Sequence, residues 1–129
     1  MKRILARSAL VALALVAAGA ARAQTQLEGQ WRNAKGSVVV EVDRCGDAYC
    51  GTVSWATPKN REKGTKPGTR VLTDLRPLGE GLYRGRAFEP KRNLRGSATV
   101  RQVGPNEMIV KGCVIGGLIC KQQKWTRIS

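Results

Sequence analysis

The sequence contains no histidine and only nine acidic side chains among its 129 residues. Without histidine, the commonest general base and metal ligand is missing. Glycoside hydrolysis by paired carboxylates would need two such groups, for example Glu89 with Asp43 or Asp74. Nothing in the sequence brings two carboxylates together. We therefore expect a non-catalytic protein without a cofactor or a metal, and keep a hydrolase that uses Glu89 as the lesser alternative.

The chain also lacks an apolar run long enough to span a bilayer, which takes about 20 residues. Lys2, Arg3 and Arg7 precede a short apolar run over residues 9–18, and Ala21-Arg22-Ala23 follows. This is the pattern of a secretory signal peptide with a small-residue cleavage site. The sequence predicts a signal peptide over residues 1–23 and one domain over residues 24–129, without a transmembrane span after cleavage near Ala23. Because Gln24 follows instead of cysteine, lipid attachment at the cut has no acceptor.

Acidic residues are outnumbered throughout the chain. Four of the 23 basic side chains and none of the 9 acidic ones lie in the predicted signal peptide. The remaining chain therefore carries 19 basic and 9 acidic side chains, a net charge of +10. A field of this size favours polyanionic partners. After export to the periplasm or the medium, the candidates are an anionic envelope molecule or a membrane surface.

Nucleic acid is disfavoured, because three Trp, two Tyr and one Phe supply few stacking platforms. The sequence leaves the oligomeric state open.

Cysteine occurs four times, in two closely spaced pairs. In a small exported domain, four cysteines indicate two disulfides. Each pair, Cys45 with Cys50 and Cys113 with Cys120, spans one turn, so we expect local bridges. The alternative is a zinc site with four thiolates, but both spacings are too wide for ordinary zinc knuckles and an oxidising compartment disfavours free thiols.

A helical 3.6-residue stripe is absent, and hydrophobic residues alternate with polar ones almost everywhere. Short turns interrupt this alternation, which is typical of an all-β domain. We predict an eight-stranded antiparallel up-and-down barrel, whose interior is either filled or holds one small ligand. The predicted strands are Leu27–Arg32, Ser37–Arg44, Cys50–Trp55, Arg70–Arg76, Leu82–Phe88, Arg95–Val103, Glu107–Cys113 and Cys120–Ile128.

The small residues Gly85 and Ala87 of the fifth strand alternate with Arg84 and Arg86, so we expect the small-residue face to look inward. The same face ends in Glu89, which would lie at the barrel mouth. We expect an arginine partner for it there.

Alternate loops of an up-and-down barrel share one rim. Here they are residues 33–36, the fourteen-residue linker 56–69, residues 89–94, and the Gly-Gly hairpin 114–119, whose turn sets Cys113 opposite Cys120. The rim would combine cations with an apolar lip, a combination that suits an anionic amphiphile. Alternatively, the apolar residues plug the barrel. The predicted ligand-binding residues are Lys59, Arg61, Lys63, Lys66, Glu89, Lys91, Arg92, Ile115 and Leu118, with Lys35 beside them.

Barrel closure would make the first and last strands neighbours. Gly29-x-Trp31 would then meet Trp125-Thr126-Arg127, with an arginine over an indole face. We interpret Gly29, Trp31, Trp125 and Arg127 as structural.

Four motifs of the chain occur together: Gly29-x-Trp31, residues 40–42 leading to 45–51, Gly112-Cys113-Val114, and Cys120 to Trp125-Thr126-Arg127. In this combination they resemble the exported bacterial family known as domain of unknown function 2147. The resemblance covers essentially the whole predicted mature chain and implies a small lipocalin-like or streptavidin-like barrel of the cell envelope without an established activity.

These observations predict a periplasmic binding module for an anionic or amphiphilic envelope component. The alternative is a module that docks an envelope polypeptide, such as an inhibitor of a cell-wall hydrolase. A net charge of +10 disfavours a basic enzyme as its target.

Overall fold

The computed structural model describes residues 27–129, so the signal peptide predicted over residues 1–23 lies outside the described residues. Eight antiparallel strands close into a barrel in which each strand pairs with the next and β1 pairs with β8. The predicted up-and-down barrel is therefore confirmed. The elements are β1 Gly29–Arg32, β2 Val38–Cys45, β3 Ala48–Ala56, α1 Pro58–Glu62, β4 Arg70–Gly79, β5 Leu82–Glu89, β6 Leu94–Gly104, β7 Glu107–Val114 and β8 Ile119–Arg127.

Alternation along the strands decides which side chains form the core. In β2, Val40 and Val42 are buried, whereas Glu41 and Asp43 are exposed. The same period of two places Ala98 and Val100 of β6 inside. A sheet that is apolar on one face and polar on the other closes most simply with the apolar face inward.

The linker between β3 and β4 contains an element that the sequence did not predict, the five-residue helix α1. Thr57 caps it by accepting a hydrogen bond from the backbone N–H of Asn60 at 3.3 Å, and Pro58 occupies its first turn. Proline is well suited to this position because the N–H that it lacks has no partner inside the helix. One short turn of helix is too brief to show a hydrophobic stripe, so periodicity could not reveal it.

Both predicted disulfides are present, Cys45–Cys50 across the β2–β3 turn and Cys113–Cys120 across the β7–β8 turn. Strand order puts these two turns at opposite ends of the barrel. Each bridge closes a short loop, and the chain-entropy account gives about 2 to 2.5 kcal/mol for loops of this length.

The barrel end marked by the β2–β3 turn is filled with side chains. Leu27, Leu75 and Met108 are fully buried there, and the ring of Tyr49 meets that of Tyr83 edge to face at 5.9 Å between centroids. Open space inside the barrel therefore lies toward the other end. Within residues 27–129, no helix has the length and apolar character needed to cross a membrane.

Barrel closure depends on a short seam. The ladder between β1 and β8 has two residue pairs, Trp31 with Arg127 and Arg32 with Thr126. Directly after β8, the backbone of Gln30 is hydrogen-bonded to Ile128 at 2.8 Å and to Ser129 at 3.0 Å. Arg127 reinforces the seam from both sides: its Nε donates to the carbonyl of Pro105 at 2.8 Å, and its Nη1 donates to the carbonyl of Glu28. Its Cζ also lies 4.4 Å from the centre of the Trp31 ring.

Gly29 is required for this arrangement. Its φ of +141° is unfavourable for other residues, and a Cβ at this position would collide with Nη1 of Arg127 and lie 2.5 Å from the carbonyl oxygen of Ser129. The Gly-x-Trp motif therefore makes room for a guanidinium and places an indole against it. Burial at the seam lowers the pKa of Arg127 from its usual value, and the group stays charged because its normal pKa is so high.

We expect Arg127→Gln to lower the free energy of unfolding by about 2 kcal/mol, because it removes charge-assisted hydrogen bonds and a cation–π contact. Urea denaturation measures the change. Arg84→Gln, at an exposed position on β5, is the matched control and should stay within about 0.5 kcal/mol of the parent. Equal effects of the two substitutions would contradict a special role of Arg127 in closure.

Candidate functional site

The end of the barrel opposite the Tyr49–Tyr83 pair opens into a cavity of about 520 Å³. All four loops that were predicted to share a rim contribute to its lining, so it lies at a true mouth and not in a side cleft. Cavities that hold small ligands usually measure about 300–1,000 Å³. The mouth is therefore large enough for one small molecule.

The floor and walls of the mouth cavity are mainly apolar. Val40, Leu72, Val110 and Trp125 belong to the buried core and form its floor. Above them, the walls are formed by half-buried or exposed apolar residues of six strands, which are Val38, Val71, Ala87, Leu94, Val114 and Ile119. An apolar ligand segment would lose contact with water on entering this space.

The rim of the mouth cavity is basic. Lys35, Lys91, Arg92 and Lys121 line it and are exposed, against the single carboxylate of Glu89. Low-dielectric walls close to one sign of charge concentrate the field at an opening. The mouth therefore combines a positively charged rim with an apolar space behind it.

A hydrogen-bonded turn fixes the β1–β2 side of the rim. The Asn33 side chain accepts hydrogen bonds from the backbone N–H groups of Ser37, at 2.8 Å, and Val38, at 3.1 Å. Its Nδ2 also donates to the Ser37 hydroxyl at 3.0 Å. Because an asparagine side chain replaces backbone pairing here, the loop that carries Lys35 is well defined.

The β3–β4 linker folds over one side of the mouth. Asn60 and Thr65 are its two buried polar residues, and both line the cavity. Nδ2 of Asn60 reaches the carbonyl of Ser37 at 3.5 Å, and the backbone N–H of Thr65 donates to the Asn60 carbonyl at 2.9 Å. The linker therefore acts as a partial cover that is anchored to the neighbouring loop.

The four linker cations predicted to bind ligand, Lys59, Arg61, Lys63 and Lys66, do not line the cavity. All four are exposed, and Arg61 donates to the carbonyl of Ala56 at 3.1 Å. They contribute to the field around the mouth from outside. Of the other predicted residues, Glu89, Lys91 and Arg92 do line it.

Glu89 faces the mouth, but its partner differs from the expected arginine side chain. Its Oε2 accepts a hydrogen bond at 2.8 Å from the backbone N–H of Arg92. The carboxylate therefore stabilises the β5–β6 turn. Asp43 and Asp74 are absent from the lining: Asp43 accepts from the backbone N–H of Arg44, and Asp74 pairs with Arg76 at 2.9 Å.

The β7–β8 hairpin forms an exposed lip beside the mouth. Val114 pairs with Ile119 and Cys113 with Cys120, in the register that the Gly-Gly turn predicts. At its tip Ile115 is 56% exposed and Leu118 is 84% exposed. The tip therefore projects into solvent and does not plug the barrel, while Val114 and Ile119 turn toward the cavity.

Sequence reasoning missed Lys121, Asn60 and Thr65. The signal for Lys121 was present, because the register fixed by Cys113 and Cys120 puts residue 121 on the inward face with Trp125. No such signal exists for Asn60 or Thr65, since irregular backbone has no period that assigns a face.

The ionisable groups whose pKa the fold shifts lie toward the filled end. Burial, with a further contribution from Tyr49, raises the pKa of Tyr83. The hydrogen bond at 3.1 Å from Arg44 to the Tyr49 hydroxyl raises the pKa of Arg44. In the described part of the chain, His, Cys, Asp and Glu side chains do not gather in threes where a metal could be held.

Comparison with protein families gives a match over residues 29–127 to DUF2147, described as an uncharacterized protein conserved in bacteria. The chain belongs to this family. The resemblance seen in the motifs is thereby confirmed, and this DUF2147 protein has the barrel that the resemblance implied. Searches of curated proteins and of solved structures return no match.

Glycine at position 64 allows the cover to approach the opposite loop. Its φ is +105°, and a Cβ there would lie 3.3 Å from the carbonyl oxygen of Pro90. We expect Gly64→Ala to lower the free energy of unfolding by about 2 kcal/mol, through backbone strain and crowding. Thermal or urea denaturation measures the effect.

Gly68→Ala is the control, because Gly68 has a similar φ of +91° with nothing within 4 Å of its Cβ position. We expect Gly68→Ala to lower the free energy of unfolding by about 1 kcal/mol through backbone strain alone. If Gly68→Ala destabilises as much as Gly64→Ala, the contact across the mouth contributes nothing.

Proposed function

We propose that this DUF2147 protein is a non-catalytic binding module of the bacterial cell envelope. Its ligand is an anionic amphiphile, whose apolar part enters the mouth cavity and whose charged group stays at the basic rim.

The observation that carries this proposal is the division of the mouth into two chemical zones. Trp125, Val110 and Leu72 lie deep, whereas Lys91 and Lys121 are at the opening. A wholly polar anion would gain little from the apolar walls, and a neutral lipid would gain little from the cations. A molecule with one apolar and one anionic part uses both zones.

A binding role fits the chemistry of the lining better than catalysis does. Glu89 is the one carboxylate among the residues that line the cavity, and it is held by the Arg92 backbone. Glycoside hydrolysis by paired carboxylates would need a second one within about 10 Å. The chain also contains no histidine to act as a general base.

An envelope location is supported by the N-terminal sequence and by both disulfides, since disulfides persist in oxidising compartments. The basic character favours the same place, because envelope lipids and glycans carry many anionic groups.

Docking of an envelope polypeptide is the second candidate. The observation in its favour is the lip, where Leu118 is 84% exposed. Exposed apolar side chains that gather at one edge often mark interaction surfaces. This candidate needs the lip alone, whereas the leading one needs the cavity.

Laurate, a simple anionic amphiphile, is the probe for the leading proposal. We expect it to bind with one-to-one stoichiometry in isothermal titration calorimetry, below its micellar concentration. Higher salt should weaken the binding because it screens the rim, and dodecanol should bind more weakly than laurate.

Two substitutions separate the zones. Gly112→Leu should weaken laurate binding at least about tenfold by filling the cavity, and its Cβ has room because the nearest atom is 3.6 Å away. Lys121→Gln should weaken it by about three- to tenfold, since one rim charge is lost. Leu118→Ser is the control and should bind normally. Loss of laurate binding in Leu118→Ser together with normal binding in Gly112→Leu would favour binding at the lip and contradict binding in the mouth cavity.

A further inference from the structure

A second concave site lies on the outer surface of the barrel, at strands β4, β5 and β6. Its volume is about 820 Å³, and the side chains that matter to the argument are Arg70, Thr73, Arg86, Phe88, Arg95 and Ser97. Strand β5 separates it from the mouth cavity, and the two linings share only Ala87 and Phe88. We name it the arginine groove.

The strand register explains how these side chains come together. Arg86 lies between Thr73 on β4 and Ser97 on β6, and Phe88 lies opposite Arg95. All of these positions point outward, because the alternate residues Ala87 and Ala98 face the interior. The guanidinium of Arg86 therefore has a hydroxyl group on each side, from Thr73 and from Ser97.

The cations of these three strands are all arginines. Strands β4, β5 and β6 each carry two arginines and no lysine, whereas β7 and β8 carry lysines at Lys111, Lys121 and Lys124. A general need for solubility would be met equally well by lysine. Arginine differs because its planar fork binds phosphate oxygens in pairs.

The charges of the groove are not balanced by acidic neighbours. No carboxylate is among the residues that line it. The ion pairs of Arg76 with Asp74 and of Lys124 with Glu107 do not involve an arginine of the groove. Arg86 and Arg95 are diagonal cross-strand neighbours, at a spacing of about 7–8 Å. This like-charge proximity opposes folding, and a bound anion would relieve it.

Arg95 is held in place before any ligand arrives. Its Cζ lies 4.4 Å from the centre of the Phe88 ring, so less side-chain freedom is lost on binding than for an unsupported arginine.

We propose that the arginine groove is a second binding site, specific for a phosphoryl group carried by a small polyhydroxy molecule such as a sugar or a polyol. Arg70, Arg86 and Arg95 bind the phosphoryl oxygens. The groove exceeds what one phosphate ion fills, and the hydroxyls of Thr73 and Ser97 bind the carrier. This proposal goes beyond the ligand of the mouth and does not depend on it.

The test follows the Nε–Hε signals of the arginines by NMR in ¹⁵N-labelled protein. Glucose 1-phosphate and glycerol 1-phosphate are titrated separately at constant ionic strength, with inorganic phosphate and glucose as references. We expect at least one phosphorylated compound to shift Arg70, Arg86 and Arg95 with a common dissociation constant, and more tightly than inorganic phosphate. The two arms show whether the carrier is a sugar or a polyol.

Arg86→Gln should weaken that binding by about tenfold or more, the usual effect of losing a hydrogen bond between charged groups. Arg101→Gln, which removes an equal charge from an exposed site on β6 outside the groove, should change it less than about twofold. Laurate binding should be unchanged in Arg86→Gln, which separates this site from the mouth.

Three results would overturn the proposal. One is a uniform change in the Nε–Hε chemical shifts of all exposed arginines that does not saturate during the titration. Another is equal weakening by Arg86→Gln and Arg101→Gln. The third is binding of inorganic phosphate or of a long polyphosphate with no preference for either phosphorylated carrier, since it would reveal only a diffuse basic surface.

Discussion

The contact of Arg127 with the β1–β8 seam is the interaction on which the rest of the structure depends. Strands β2 to β8 are joined by six longer ladders, but β1 is short and its ladder with β8 has only two residue pairs. The guanidinium supplements this seam with hydrogen bonds to two carbonyls and a contact with the Trp31 ring. If the seam opened, the sheet would expose two edges and its apolar face.

A closed barrel with one filled end has consequences for where ligands can bind. Tyr49, Leu75 and Met108 occupy the interior toward the β2–β3 turn, so an internal site is confined to the opposite mouth. There the loops add cations above an apolar floor. The outer wall is available for a different chemistry, and on β4 to β6 it presents arginines and hydroxyls. One small sheet thus presents an inner cavity with apolar walls and an outer groove with arginines and hydroxyls.

Much of the fold could be predicted from the sequence because it follows from short-range rules. Alternation in β2 assigned its inner face, the Gly-Gly turn fixed the register of β7 and β8, and cysteine spacing indicated both disulfides. Strand order then put four loops on one rim. The position of the linker cations could not be predicted, since Lys59 lies in a short helix and Lys63 in the irregular backbone that follows it. The predicted arginine side-chain partner of Glu89 was wrong for a similar reason. The carboxylate accepts a hydrogen bond from the backbone N–H of Arg92 in the turn instead.

The proposed function depends most on the entry of the apolar part of an anionic ligand into the mouth cavity. Intermolecular nuclear Overhauser effects between ¹³C-labelled laurate and the protein test this most directly. We predict contacts from the laurate chain to the methyl groups of Val110, Val114 and Leu72, with the carboxylate end near Lys91 and Lys121. Contacts confined to Ile115 and Leu118 at the lip, or no contacts at saturating laurate, would contradict the account.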